Sequence, residues 1–143
     1  MRHHYLEKLL STLLLLSQFI GSSGEYPGEY IDISKCETIV SWNDLRRTIE
    51  YSPGSLVLCP FSLTKKEYEP TIRLTRGIHI LCQEIGKCRI EGPNTHIEIE
   101  SQAPVTIEGI EFSEATSSSL VVSDLNLNIS RKSHVICNCA FDR

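Results

Sequence analysis

The stretch VTIEGIEF, residues 105–112, is matched 29 residues later by HVICNCAF, residues 134–141. Three pairs coincide in this alignment: Ile107 with Ile136, Gly109 with Asn138, and Phe112 with Phe141. Glycine and asparagine are the residues that most readily adopt a positive φ, so the match preserves a bend as well as an apolar pattern. The repeat indicates chain segments that wind in successive coils, each packed against its neighbours.

The repeat extends towards the N-terminus through Leu58 and Ile80, with steps of 22, 27 and 29 residues between successive members. Unequal steps are typical of coils whose inward positions stay in register while their loops vary in length. Brief apolar alternations separated by glycine and proline run from residue 55 onward, and each predicts a short strand. An antiparallel β-sandwich also uses short alternating strands, but the unequal spacing favours stacked coils.

One helix is predicted ahead of these strands. Ser41 is a candidate N-cap for a helix over residues 42–51, on which Trp42, Leu45 and Ile49 recur at helical spacing. A short amphipathic helix in this place covers the open end of a β-stack.

These features resemble the right-handed parallel β-helix of pectate-lyase-like secreted proteins. The resemblance spans residues 41–143 and rests on the helix, on LVLCP at 56–60, on ILCQEIGKCRIEG at 80–92 and on the matched octapeptides. It implies an all-β fold, a single-stranded right-handed parallel β-helix of about three coils with a short N-terminal capping α-helix. It also implies polysaccharide as the class of ligand.

Residues 1–24 have the three parts of a secretory signal peptide: a basic start at Arg2 and Lys8, an apolar run over 9–20, and small residues at 21–24. A bilayer-spanning helix needs roughly 20 apolar residues, so an uncleaved anchor is the weaker alternative. We therefore predict a secreted, extracellular chain with no membrane span after cleavage. Residues 25–40 are predicted to be a tether, and residues 41–143 the β-helix domain.

Charge argues against nucleic acid as a partner. Without residues 1–24 the chain has 12 basic and 17 acidic side chains, whereas nucleic-acid-binding domains carry basic clusters. The pairs Arg46-Arg47 and Lys65-Lys66 are isolated, and we expect them to be solvated.

All six cysteines follow the predicted signal peptide, and an even number in an exported chain predicts disulfides. Cys82 and Cys88 are spaced to close a turn, while Cys36 and Cys59 would tie the N-terminal segment to the first strand. The partners of Cys137 and Cys139 stay open. A zinc site that includes these two cysteines and His134 is the alternative, but it lacks a second ligand pair at standard spacing.

No catalytic constellation is evident, and no catalytic, cofactor-binding or metal-binding residue is predicted. Glycoside hydrolysis needs paired carboxylates, and the four aspartates of this chain are dispersed. A calcium site for β-elimination would draw on several outward glutamates, which we expect instead to form a solvated acidic face: Glu91, Glu98, Glu100, Glu108, Glu111 and Glu114. No Arg or Lys lies between Arg89 and Arg131 to serve as a base. Three isolated histidines are expected at exposed strand positions: His79, His96 and His134.

The sequence therefore predicts a secreted non-enzymatic β-helix module associated with extracellular matrix, cell wall or polysaccharide. The alternative is the N-terminal part of a polysaccharide lyase or hydrolase whose catalytic coils lie beyond Arg143. An exposed last coil is expected to meet a further β-helix segment or a second molecule end to end. Asn128, in the triplet Asn-Ile-Ser, is a candidate N-glycosylation site.

Overall fold

The structure is a computed structural model that describes residues 30–123 and 134–142. The predicted signal peptide (1–24) and the glycosylation candidate Asn128 lie outside the described residues. The described elements follow in chain order: α1 (Trp42–Tyr51), β1 (Ser55–Leu58), β2 (Phe61–Thr64), β3 (Ile72–Leu74), β4 (Ile78–Cys82), β5 (Cys88–Glu91), β6 (Ile97–Ile99), β7 (Val105–Glu108), β8 (Ile110–Phe112), β9 (Leu120–Val122), β10 (Val135–Cys137) and β11 (Ala140–Phe141).

The strands form three parallel sheets. Sheet A has the order β1-β4-β7-β10, sheet B the order β2-β5-β8-β11, and sheet C the order β3-β6-β9. The chain visits sheets A, B and C in rotation, and we call one such passage a coil. Three coils are complete, and β10 and β11 begin a fourth. The prediction of an all-β chain with parallel strands and one short helix is confirmed for the described residues, and the antiparallel sandwich is wrong.

The register of sheet A follows the sequence repeat over its last two steps. Ile80 pairs with Ile107, and Ile107 pairs with Ile136. Gly109 and Asn138 both have positive φ, 74° and 51°, so the aligned bend is present in both coils.

The first step of the predicted repeat is wrong by two residues. Leu56 pairs with Ile80, and Leu58 pairs with Cys82. Because successive side chains of a strand alternate between its two faces, a slip of two residues leaves Leu58 on the inward face.

The interior is a set of stacked apolar columns. Sheet A contributes Leu56, Ile80 and Ile107, which are all buried. The helix α1 packs beside β3 and buries its predicted stripe of Trp42, Leu45 and Ile49. Full burial of one such aliphatic or aromatic side chain contributes about 1.5–3 kcal/mol, so these columns are the main source of stability.

Part of the predicted tether is bound to the first strand. Glu37 forms a parallel bridge with Leu58: its N–H donates to the Val57 carbonyl at 2.8 Å and its carbonyl accepts from the Cys59 N–H at 3.0 Å. Ile39 is buried in the core. The folded region thus includes residues near Glu37 that precede the expected boundary at 41.

Gly92 marks a close approach between two coils. Its φ is 116°, and a Cβ at this position would collide with the backbone carbonyl oxygen of Lys65. Only glycine can adopt this φ and also fit this close to the Lys65 carbonyl oxygen.

Candidate functional site

An open cleft of about 510 Å³ lies beside the last described strand of each sheet. It is lined by Ala115, Ser117, Ser118, Ser119, Leu120, Ile136, Phe141 and Asp142. The lining combines an aromatic ring, aliphatic side chains, serine hydroxyls and one carboxylate. Small-molecule sites are typically apolar with a few polar groups that fix orientation, and this composition fits that description.

The serine side of the cleft is attached to the preceding coil. The Asn94 N–H donates to the Thr116 hydroxyl at 3.1 Å, and the Thr95 and Ser117 hydroxyls lie 3.5 Å apart. The Ser119 carbonyl accepts from the backbone N–H groups of His96 and Ile97, each at 3.0 Å. Hydrogen bonds between adjacent coils therefore hold this serine-rich segment in place, although the sequence alone predicts an ordinary polar loop.

The aromatic side of the cleft ends a column of rings that begins at the helix. Phe141 stacks on Phe112 with ring centroids 5.3 Å apart, and Phe112 stacks on His96 at 6.0 Å. Trp42 meets His96 edge-on at 6.4 Å. We call these four residues the aromatic column. Phe112 is fully buried, whereas Phe141 is 55% exposed.

His96 and Lys65 are buried, and the expectation that they are exposed is wrong for both. The His96 Nε2 lies 2.9 Å from the Gly92 carbonyl oxygen, and its Nδ1 has no hydrogen-bond partner among the described residues. Lys65 is 1% exposed, with its Nζ 5.7 Å from the centroid of the Trp42 ring and 3.5 Å from the Pro93 carbonyl oxygen. A cation–π contact offsets part of the cost of burying this ammonium.

The pKa of His96 is lowered. Burial is the main cause, because it disfavours the charged imidazolium, and the Lys65 charge adds to it. The hydrogen bond to the Gly92 carbonyl opposes both effects. His96 is therefore a neutral member of the aromatic column near pH 7.

Three of the predicted outward glutamates, Glu98, Glu100 and Glu111, are paired with arginines of a neighbouring coil. Arg89 donates to the Glu111 carboxylate at 3.1 and 3.3 Å. The Arg73 guanidinium lies 3.8 Å from Glu98 and 3.7 Å from Glu100. These ion pairs join neighbouring strands of sheets B and C. The predicted acidic faces therefore carry arginines as well as glutamates.

The histidines stay apart, as their isolation in the sequence indicates. His79 lies 3.6 Å from the Glu108 carboxylate, while the His134 Nδ1 accepts from the Val105 N–H at 3.2 Å. In residues 30–123 and 134–142, no group of three or more His, Cys, Asp or Glu side chains is arranged to hold a metal ion. The zinc alternative at Cys137, Cys139 and His134 has no support from this geometry.

The cysteines cluster where the chain passes from sheet A to sheet B, a position we call the A–B corner. Disulfides join Cys36 to Cys59 and Cys82 to Cys88, the pairs that the sequence spacing favours. They indicate an extracellular or otherwise oxidising environment. Cys137 and Cys139, at the A–B corner of the last coil, are free thiols.

Comparisons with known proteins give no relative: no family model, no curated protein and no solved structure matches this chain. Among the described residues, no helix has the length and apolar character required to cross a bilayer.

Proposed function

We propose that this chain is a secreted, non-enzymatic module with a right-handed parallel β-helix fold, and that it binds an extracellular polysaccharide in the cleft. The rotation of the chain through three parallel sheets supports the fold. The two disulfides and the signal-like residues 1–24 support secretion. The pairing of Glu98, Glu100 and Glu111 supports a role other than catalysis, because each of these carboxylates is held by an arginine or a hydroxyl of a neighbouring coil.

The observation that carries the proposal is the exposed Phe141 ring next to serine hydroxyls and the Asp142 carboxylate. A sugar ring has an apolar C–H face, which stacks on aromatic rings, and a hydroxyl edge, which needs hydrogen-bonding groups. The cleft offers both kinds of contact within one lined volume.

The charge of the chain favours a neutral polysaccharide. The whole chain has a formal charge of −4, and the acidic residue Asp142 is among those that line the cleft. Like charges across an interface oppose association, so an acidic polymer such as polygalacturonate is disfavoured.

Calorimetric titration of the purified chain with neutral and acidic oligosaccharides tests the proposal. We expect binding to a neutral series, and Phe141→Ala to weaken it about tenfold, which corresponds to about 1.4 kcal/mol. Tyr51→Ala is the matched control, because Tyr51 is an exposed aromatic on α1, outside the cleft. Binding of the acidic series alone, or equal affinities for the two variants, would contradict the proposal.

A second function is favoured by a separate observation, the exposure of the last described strands. Ile136 is 39% exposed and Phe141 is 55% exposed, although their partners Ile107 and Phe112 are fully buried. We propose as the alternative that further coils, such as those of a polysaccharide lyase or hydrolase, or a second copy of the chain, stack end to end on these residues. Light scattering of the purified chain tests the second copy, since a monomer at all concentrations rules it out.

A further inference from the structure

Tyr30 is an exposed tyrosine with no counterpart in the interior. Its side chain is 91% exposed, and residues 30–32 belong to no helix or strand. Aromatic side chains normally bury about 150–250 Å² and so stabilise a core, which this ring does not do. Residues on exposed irregular segments are more often available for contact with another protein than for packing. The Tyr30 phenol is therefore accessible to the active site of a modifying enzyme.

The sequence around Tyr30 is acidic. Glu25 and Glu29 precede it and Asp32 follows it, whereas residues 9–34 contain no Lys or Arg. An enzyme that binds this stretch would therefore meet negative charge on both sides of the phenol. Complementary charge on the enzyme, that is, a basic surface, favours such an encounter.

The Asp32 carboxylate is ionised at neutral pH. The Ser34 hydroxyl donates to it at 2.6 Å and the Ser34 N–H donates at 3.1 Å, and both bonds lower the pKa of Asp32. The Lys35 ammonium, 3.6 Å from this carboxylate, lowers the pKa further by a smaller amount, and burial opposes the decrease. Lys35 is also the nearest cation to Tyr30 along the chain, five residues away.

We propose that Tyr30 is a site of tyrosine O-sulfation and that its acidic neighbours are what the sulfotransferase recognises. Sulfation depends on the proposed secretion of the chain, because tyrosine is sulfated in the secretory pathway of eukaryotic cells. It does not depend on the cleft or on polysaccharide binding.

The reaction moves a sulfuryl group from an activated sulfate, a mixed anhydride of sulfate and a nucleotide phosphate, to the tyrosine. A bond forms between sulfur and the Tyr30 Oη, and the bond between sulfur and the bridging oxygen of the anhydride breaks. The phenol proton passes to a base of the transferase, and the nucleotide leaves with its phosphate. A neutral hydroxyl is thereby replaced by a sulfate ester with one negative charge.

Two other exposed tyrosines supply a comparison within the same chain. Tyr51 and Tyr68 are each 79% exposed and each follows a glutamate. The Glu50 carboxylate before Tyr51 lies 3.0 Å from the guanidinium of Arg46. Beside Tyr68, the Lys66 ammonium lies 5.7 Å from the ring centroid. Because a cation accompanies each of these tyrosines, we expect a basic transferase surface to bind both more weakly than the acidic stretch.

Reaction of the purified full chain with a tyrosylprotein sulfotransferase and phosphoadenosine phosphosulfate tests the proposal without requiring secretion. We expect peptide mass spectrometry to place the sulfate on Tyr30, at an initial rate about tenfold above that of Tyr51 or Tyr68. Both Glu29→Gln and Asp32→Asn should slow the reaction at Tyr30 about fivefold, because each removes a recognised charge.

Glu67→Gln is the matched control for these two variants. It removes the acid before Tyr68 and should leave the rate at Tyr30 unchanged. Mapping of the disulfides Cys36–Cys59 and Cys82–Cys88 reports whether each variant is folded. Sulfate confined to other tyrosines, equal rates at the three exposed tyrosines, or an unchanged rate in both charge variants would overturn the proposal.

Expression in a secreting eukaryotic cell distinguishes a failure of sulfation from a failure of secretion. We expect the secreted chain to carry a phosphatase-resistant sulfate at Tyr30 that is absent from Tyr30→Phe. A secreted chain without this group, or with a phosphatase-sensitive phosphate in its place, would overturn the sulfation site. A chain that stays inside the cell would contradict the proposed secretion, and the reaction with the purified transferase would then decide whether Tyr30 is an acceptor.

Discussion

His96 is a titratable side chain in the interior of the molecule, between Trp42 and Phe112. Burial lowers its pKa below the usual 6.5. Near and below pH 6.5 the unfolded chain therefore takes up a proton that the folded chain does not. The free energy of unfolding therefore has its full value above the pKa that His96 has in the unfolded chain, and it decreases as the pH falls below that pKa. The slope from one such group is at most about 1.4 kcal/mol per pH unit.

We predict that His96→Phe reduces the loss of stability between pH 7 and pH 5. A phenyl ring keeps the stacking in the aromatic column but has no proton to gain. Urea unfolding at several pH values measures the effect, with the wild-type protein as the reference. An unchanged slope in His96→Phe would show that other groups cause the acid sensitivity.

Burial of individual polar residues was the least predictable feature of the sequence. Lys65 and His96 occur in polar stretches, and nothing in their spacing separates them from solvated neighbours. Both side chains meet backbone carbonyls of the turn at residues 92–94, where φ is 116° at Gly92 and 66° at Asn94: His96 contacts the Gly92 carbonyl and Lys65 the Pro93 carbonyl. The cysteine pairs were more predictable, because a disulfide tolerates few distances and local spacing removes most pairings.

The helix α1 depends on a local hydrogen-bond pattern at its start. The Ser41 hydroxyl accepts from the Asp44 N–H at 3.1 Å, and the Asp44 carboxylate accepts from the Val40 N–H at 3.1 Å. The first bond satisfies a backbone donor that the helix leaves unpaired, and the second holds the residue that precedes the N-cap.

We predict that Ser41→Ala lowers the free energy of unfolding by about 1 kcal/mol. Ser52→Ala at the other end of the helix is the matched control and should change little, because the Ser52 contact there comes from its backbone N–H. Urea denaturation of both variants measures the difference. Equal losses would mean that the cap is not the source.

Apolar alternation predicts where the strands lie, but it predicts the register between them less well. An alternation has a period of two residues, so it cannot distinguish Leu56 from Leu58 as the partner of Ile80. The last step was correct because Gly109 and Asn138, both with positive φ, give a second alignment point, which a slip of two residues would break.

At the scale of the whole molecule, the disulfide Cys36–Cys59 holds the N-terminal segment beside β1 and closes a loop with a sequence separation of 23. A cross-link over this length stabilises the folded state by roughly 3 kcal/mol through the entropy of the unfolded chain.

We predict a loss of about 3 kcal/mol for the double variant Cys36→Ala, Cys59→Ala. The double variant Cys137→Ala, Cys139→Ala is the control: with both thiols free it removes no cross-link and should cost much less. Chemical denaturation of both, under conditions that keep the remaining disulfide intact, measures the difference. Similar losses in the two variants would contradict the prediction.

The cleft could not be predicted from sequence, because its two sides are separated along the chain. Ser117 to Leu120 follow sheet B of the third coil, whereas Ile136 to Asp142 belong to the fourth. Only the three-dimensional stacking of coils brings them together. One signal was available: the repeat aligned Phe141 with Phe112, which placed an aromatic residue at the last turn.

Parallel pairing between adjacent coils has a mechanical consequence. A force that pulls the two ends of the stack apart acts on one inter-coil boundary at a time, so coils should peel away singly. Each detached coil of about 25 residues would release roughly 80–90 Å of extended chain. The loop closed by Cys82 and Cys88 cannot lengthen, which shortens the length of chain released by the second coil.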